Sequence, residues 1–511
     1  MSEAGLSKIN RIVVACATMS LLPIDAMSQD DWVDTFENGL RPAVHDAGEA
    51  PVRWTLQERM AHYGVPGISI AVLSDGQVVW AEGYGEAKAG SGTLIDTETV
   101  FSVGSLSKTG TALTILRLVD AGLLDLDADV NTVLESWEAP IDGSENAEAI
   151  TLRMLLSHTA GLNVHGFADF GPNEDLPDTV QILDSSGPAK NSKVRLIHNP
   201  GETYDYSGGG TTIAGLVAAD KMELDFPLLA KEYVFDPLEA ERSTFEVPLP
   251  EETENIAYAH NGRGLFTAKP RGYHSFPETA ASGLWTTPTE YGEMLNALYR
   301  AYRGASDDFL SQDIAIDALT PVQPSVHGLG PRIIGEPSNV RMQHTGANNS
   351  YKAIYDVSLK TGDGAVIFTN GTNGTSLNAE IMRALSDALD WNHVPELKAV
   401  SLSVSDLEEL IGTYEFVRER DSDGHLPDAD LPDQMRLKIE EDRLVLTQGG
   451  LFGIGAQTTQ LYALAKDTFV GDQGLTRVEI QRDADQNITG LNLMNEQTYK
   501  VRRRQNEYVR K

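Results

Sequence analysis

Ser105 and Lys108 stand three positions apart in the stretch Phe101-Ser102-Val103-Gly104-Ser105-Leu106-Ser107-Lys108. On a helix that spacing puts both side chains on one face, close enough to touch. The stretch opens a helical pattern carried by Leu113, Leu116 and Val119, which stops at Gly122. A serine at a helix start sits beside unpaired backbone N–H groups and the positive end of the dipole, a setting suited to a reacting carbonyl. Its hydroxyl is a poor nucleophile until a base takes the proton. A lysine is such a base only when neutral, which requires its pKa to fall from about 10.4 toward about 7–8. Three units correspond to roughly 4 kcal/mol, within reach of burial combined with the dipole. Ser-x-x-Lys alone also describes a capped surface helix, so the reading depends on what accompanies it.

Two other stretches carry chemistry-bearing residue types. Pro200-Gly201-Glu202-Thr203-Tyr204-Asp205-Tyr206-Ser207-Gly208 is a turn-rich loop with two phenols. His344-Thr345-Gly346 closes the alternating stretch Val340-Arg341-Met342-Gln343. A strand ending in glycine admits the close backbone approach of an extended substrate laid along a sheet edge. Taken with Leu152-Arg153-Met154-Leu155-Leu156-Ser157-His158-Thr159-Ala160-Gly161-Leu162, these segments resemble the penicillin-recognising serine hydrolases. That superfamily includes class C β-lactamases, DD-peptidases, D-aminopeptidases and related esterases, and is marked by Ser-x-x-Lys, Tyr-x-Asn and Lys/His-Thr-Gly. The resemblance covers residues 55–392.

The resemblance implies an α/β serine β-lactamase-like fold, with an antiparallel sheet flanked by helices and a helical subdomain. It makes Ser105 the nucleophile, Lys108 its base and Tyr206 the partner that relays the proton; the distance from the Pro-Gly turn selects Tyr206 over Tyr204. The N–H groups of Ser105 and Ala347 become the oxyanion hole, each such donor being worth about 3 kcal/mol. His344, Thr345, Gly346 and Gly208 fall at substrate-binding positions. Two of them depart from the β-lactamase pattern. Gly208 stands where the family most often has an asparagine that holds the lysine and a substrate amide. His344 replaces a lysine, and a neutral imidazole at pH 7 attracts a carboxylate less than an ammonium does. Both departures imply weak or absent β-lactamase activity. His158 and the segment Ser282-Gly283-Leu284-Trp285-Thr286-Thr287-Pro288, which leads into a core helix, are expected as scaffold. The activity implied is hydrolysis, through an acyl-enzyme, of D-residue-containing peptides or amides. Short-chain esters are the close alternative. A non-hydrolytic sensor of β-lactam-like or peptidoglycan fragments is the alternative of a different class, motivated by Gly208.

Several elements must position these groups. After an amphipathic stretch at Trp54–Tyr63, Gly67–Leu73 reads as a buried strand, Ser74-Asp75-Gly76 as a hairpin turn and Val78–Ala81 as the returning strand. Helical patterns dominate residues 104–235. Strand patterns resume at Val340–Thr345, Tyr351–Leu359 and Ala365–Thr369, followed by a helix over Leu377–Trp391. Strands at both ends with helices between them indicate a sheet that joins distant chain segments. The hydrolase domain is therefore expected over 29–394. From residue 395 to 511 the period changes. Met435–Ile439, Leu444–Leu446, Leu461–Leu464, Thr468–Val470, Val478–Ile480 and Ile488–Leu493 read as short strands of an all-β barrel or sandwich. This tail resembles the lipocalin-like C-terminal domain of some D-aminopeptidase-type members.

The 511 residues carry 40 Lys and Arg against 75 Asp and Glu, a formal charge of -35. Such a surface repels phosphate backbones and anionic lipid heads, which excludes nucleic-acid and membrane-surface binding. The eleven histidines lack a metal-ligand spacing, and no phosphate-binding glycine loop occurs, so neither a metal nor a cofactor is expected. The expected partner is a small-molecule or peptide substrate, with self-association through the C-terminal domain. Residues 1–28 place Lys8 and Arg11 before the apolar stretch Ile12–Leu22 and the small-residue run Ala26-Met27-Ser28, the order of an export signal cleaved near Ser28. A periplasmic or secreted location follows. Too few apolar residues precede Cys16, the single cysteine, for a lipoprotein signal.

Overall fold

A computed structural model describes residues 29–141, 149–305, 309–416, 434–448, 457–494 and 498–503. The export signal read in residues 1–28, Cys16 included, lies outside the described residues. Six strands make one sheet: β1 (Gly67–Ser74), β2 (Gln77–Gly85), β3 (Arg332–Ile334), β4 (Arg341–Ala347), β5 (Lys352–Ser358) and β6 (Gly364–Thr369). Their order is β2-β1-β6-β5-β4-β3, with every neighbouring pair antiparallel. The β1–β2 hairpin turns at Asp75 and Gly76, both at positive φ (48° and 74°), the conformation that an Asp-Gly pair supplies.

Five helices frame this sheet: α1 (Gln29–Glu37), α2 (Ser107–Asp120), α3 (Gly208–Met222), α4 (Pro288–Tyr302) and α5 (Gly374–Ala388). Side chains alternate across a strand, so β1 feeds two cores. Ile68, Ile70 and Val72 pack with Trp32 and Phe36 of α1 and with Leu377, Ile381 and Leu385 of α5. Ala71 and Leu73 join the opposite core with Leu113 and Leu116 of α2, Ile213 and Val217 of α3, and Leu295 and Leu298 of α4. Burial on both faces is why this strand reads as an unbroken apolar run. The stretch Lys108–Leu116 of α2 is wholly buried.

The C-terminal unit is a closed barrel of eight strands: β7 (Gly412–Phe416), β8 (Gln434–Glu440), β9 (Arg443–Gln448), β10 (Gln457–Ala465), β11 (Thr468–Gly471), β12 (Arg477–Arg482), β13 (Ile488–Met494) and β14 (Thr498–Arg503). Each strand is antiparallel to the next, and β14 pairs back onto β7. Tyr414, Met435, Leu437, Leu446, Leu461, Phe469, Val478 and Leu491 belong to one buried cluster, joined by Leu407 and Leu410 from the short helix Val404–Glu408 and the turn after it. These side chains fill the barrel. It meets the first unit on the α5 side of the sheet. Val44 and Ala399 pack on Val470, Asp46 pairs with Arg443, and Arg383 of α5 donates to the Gln473 carbonyl at 3.1 Å. Among the described residues no helix is long and apolar enough to cross a membrane.

Candidate active site

Ser105 lies in a short 3-10 turn, Gly104–Leu106, that runs directly into α2. The turn is pressed against the end of β4 by two glycines. Gly104 has φ +53°, and a Cβ on it would fall 2.9 Å from the Ala347 carbonyl oxygen and 3.0 Å from its nitrogen. A Cβ on Gly346 would fall 1.9 Å from the Val103 carbonyl oxygen. Only glycine tolerates such contact, so the first and third sequence motifs meet through bare backbone. Ala347, at the tip of β4, remains exposed.

Lys108 is 3% exposed. Its Nζ lies 3.4 Å from Ser105 Oγ and donates to the Ala281 carbonyl at 2.9 Å. The acceptor belongs to a one-turn helix, Thr279–Ser282, fastened along α2. Thr111 Oγ1 donates to the Ala280 carbonyl at 2.7 Å, and the Leu284 N–H donates to Ser107 Oγ at 2.9 Å. The turn that orients the lysine directly precedes the segment Ser282–Pro288 expected as scaffold, and Leu284 of that segment fastens it to α2.

Tyr206 comes from the loop before α3, which Ser207 caps by accepting from the Gly210 N–H at 3.0 Å. The tyrosine ring lies over Lys108, with Nζ 5.1 Å from the ring centroid. His158 lies tilted against the same ring, 4.3 Å between centroids, and its Nδ1 accepts the Ser207 N–H at 3.2 Å. It therefore fixes the tyrosine's loop while touching the tyrosine, a closer involvement than its expected scaffold role. His165, His327 and His344 complete a ring of imidazoles around Tyr206, at 4.8, 5.9 and 6.0 Å between centroids.

Burial above all holds His158 and His344 well below the ordinary imidazole pKa, and burial brings His327 down to about 3. All three are neutral at pH 7. His344 donates from Nδ1 to the Thr345 carbonyl at 2.7 Å and His327 to the Gly330 carbonyl at 3.0 Å, so the Nε2 atom of each is the unprotonated acceptor. Thr345 is half-buried beside His344. Gly208 opens α3, but the space beside it is occupied. A Cβ there would fall 2.8 Å from Phe167 Cε2 and 3.2 Å from the His165 carbonyl oxygen. The loop carrying His165 and Phe167 takes the volume in which the family's asparagine would stand.

Ser105, Lys108, Tyr206, His344, Thr345, Gly346, Ala347 and Gly208 thus converge from three separate stretches of chain. Sequence reasoning missed His327, His165 and Phe167, which carry no motif and gain their place only through folding. Among the described residues no group of three or more His, Cys, Asp or Glu side chains is arranged to hold a metal ion. The arrangement places a serine hydroxyl within 3.4 Å of a buried amine that faces a tyrosine ring.

A helix-flanked antiparallel sheet with a serine and a lysine at the head of its central helix defines a β-lactamase-like fold of the penicillin-recognising serine hydrolases. The chain belongs to the Beta-lactamase family, whose model matches residues 52–389. It is 26% identical over 379 residues to "Penicillin-binding protein 4" of Amycolatopsis lactamdurans, covering 70% of this chain and 94% of that protein. Among solved structures, the octameric penicillin-binding protein homologue from Pyrococcus abyssi aligns with TM-score 0.55 at 21% identity, covering 88% of this chain and 98% of that one. The D-amino acid amidase from Ochrobactrum anthropi SV3, complexed with L-phenylalanine amide, aligns with TM-score 0.51 at 18% identity, covering 65% of this chain and 98% of that one.

Proposed function

We propose that the protein is a serine acyl-hydrolase of D-residue-containing peptides or amides, acting through an acyl-enzyme on Ser105. The observation that carries this reading is the meeting of Lys108 Nζ with Ser105 Oγ at 3.4 Å beneath the Tyr206 ring. Ser105 Oγ attacks the carbonyl carbon as its proton passes to neutral Lys108, assisted by Tyr206. The N–H groups of Ser105 and Ala347 receive the oxyanion. The proton then moves to the leaving amine, the C–N bond breaks, and water attacks the acyl-enzyme with the same Lys–Tyr pair as base.

Two observations support an amide or peptide over a β-lactam. His344 is neutral where an ammonium would attract a β-lactam's carboxylate, and Phe167 fills the place of the asparagine beside Gly208. Similarity in fold to a D-amino acid amidase points the same way. The octameric homologue supports self-association of this chain, and the N-terminal sequence supports a periplasmic or secreted location. Steady-state rates on D-alanine p-nitroanilide, a D-Ala-D-Ala peptide, p-nitrophenyl butyrate and nitrocefin test the assignment. Sustained turnover is expected, with the D-alanine substrates ahead of the ester and nitrocefin slowest. Nitrocefin as the best substrate, or an acylation burst with no steady-state rate on any of them, would contradict it; the burst alone would mark a sensor.

A further inference from the structure

Asn348 follows the proposed oxyanion donor Ala347 and heads the turn between β4 and β5. Its backbone N–H donates to the Tyr351 carbonyl at 3.1 Å, and its own carbonyl accepts from Lys352 Nζ. In the side chain, Oδ1 accepts the N–H groups of Ser350 at 3.0 Å and Tyr351 at 2.8 Å. Those two donors fix which end of the amide is oxygen, so Nδ2 is the atom that donates to Ser102 Oγ, 3.1 Å away. Ser102 is 2% exposed and stands three positions before Ser105. The other bonds of Asn348 stay within residues 348–352, whereas this one reaches 246 residues back along the chain.

We infer that Asn348 is a positioning residue for the oxyanion hole, its side chain stapling the turn after Ala347 to Ser102 so that the N–H groups of Ser105 and Ala347 converge on one oxygen. This rests on the reading of those two N–H groups as the oxyanion donors. Such donors stabilise a transition state only when they are preorganised at the place where charge develops. Ser102 belongs to the short strand Phe101–Ser102, which pairs with Trp285–Thr286 and leads through Gly104 to Ser105. Gly104 and Gly346 let the two stretches approach, but close approach alone does not set their register. A hydrogen bond does, because it holds only over a narrow range of distance and angle. The far end of the turn is also held. The Lys352 carbonyl accepts from Thr369 Oγ1 at 3.1 Å and from Asn378 Nδ2 at 3.2 Å. With both ends anchored, a shift of Ala347 relative to Ser105 must stretch the Asn348–Ser102 bond. Asn348 thus acts through its neighbours rather than on the substrate.

The test measures kcat/KM for p-nitrophenyl butyrate and the Ki of phenylboronic acid, which forms a tetrahedral adduct on a serine oxygen and presents an oxygen to the oxyanion donors. It compares the full-length protein with Asn348→Ala, Ser102→Ala, the double variant, and Ser105→Ala as background. Fluorophosphonate titration counts competent sites, so that each rate refers to folded protein. Asn348→Ala is expected to lower kcat/KM by about 10–100-fold, the scale of a group displaced by about an ångström, and to weaken phenylboronic acid by the same factor. Ser102→Ala should reproduce both losses. The double variant should lose no more than either single one, because the two residues form one bond. Losses that multiply in the double variant, or a single variant that matches the wild type in both quantities, would overturn the inference and leave the Ser105 reading standing. Should Asn348→Ala not fold, Ser102→Ala decides by the same two quantities. Turnover that survives Ser105→Ala would remove both readings together.

Discussion

At the scale of single residues, Gly208 and Phe167 compete for one volume. The ring atom Phe167 Cε2 stands 2.8 Å from where a Cβ on residue 208 would be, closer than packed side chains tolerate. Gly208→Asn, which rebuilds the family's usual motif, is therefore expected to destabilise the fold by about 1–3 kcal/mol. Adding Phe167→Ala should recover part of that loss. Urea unfolding of the single and double variants checks both statements, and a neutral Gly208→Asn would show that the loop yields freely. The same position shows what a sequence can convey about a site. Ser105, Lys108, Tyr206 and His344 were legible because each lies in a short motif with its own spacing. Phe167 and His327 were not, because their meaning is set by partners far away in the chain. Ala281 and Lys108, for example, meet only once residues 279–284 have zipped onto α2.

At the scale of elements, alternation and run length located the strands, and their burial explains why. β1 and β6 are sheathed on both faces and appear as continuous apolar runs, whereas β8 alternates Met435 and Leu437 with exposed Gln434 and Arg436. The elements that escaped notice are short or weakly patterned. β3 is only Arg332–Ile334, and β7 and β14 are the strands whose pairing closes the barrel. Closure is a long-range event with no local signature, so strand rhythm alone allowed barrel or sandwich, and the expected barrel came from the resemblance to a lipocalin-like domain. The helix start that holds Ser105 was legible, but its docking was not. Gly346 reads as a strand-ending glycine, and only the fold shows that its missing Cβ makes room for the Val103 carbonyl.

At the scale of the whole molecule, four buried histidines link the site to global stability. His158, His327, His344 and His393 all have pKa values depressed by burial, to about 3 for His327 and about 4 for His393. Below about pH 6.5 the unfolded chain binds protons that the folded chain refuses, so stability falls with pH through this window. Asp356 and Glu278 act in the opposite sense, because burial raises them to about 6 and about 8 and the folded state then holds protons that the unfolded state releases. His260 is depressed by burial likewise, and Glu290 and Asp472 are raised by it, so five imidazoles oppose four carboxyls and leave a net loss on the order of 1 kcal/mol per pH unit below pH 6. The urea midpoint should therefore drop between pH 6.5 and 5, and a constant or rising midpoint would contradict the neutral imidazole cluster. The acidic composition was legible as a charge count, but this pH dependence was not, since it depends on which histidines the fold encloses. The proposed chemistry makes Ser105 Oγ the atom that becomes acylated. Intact-mass analysis after exposure to a fluorophosphonate measures that directly. A single adduct is predicted on the wild-type chain and none on Ser105→Ala. An adduct that persists in the variant, or that maps to another residue, would contradict the account.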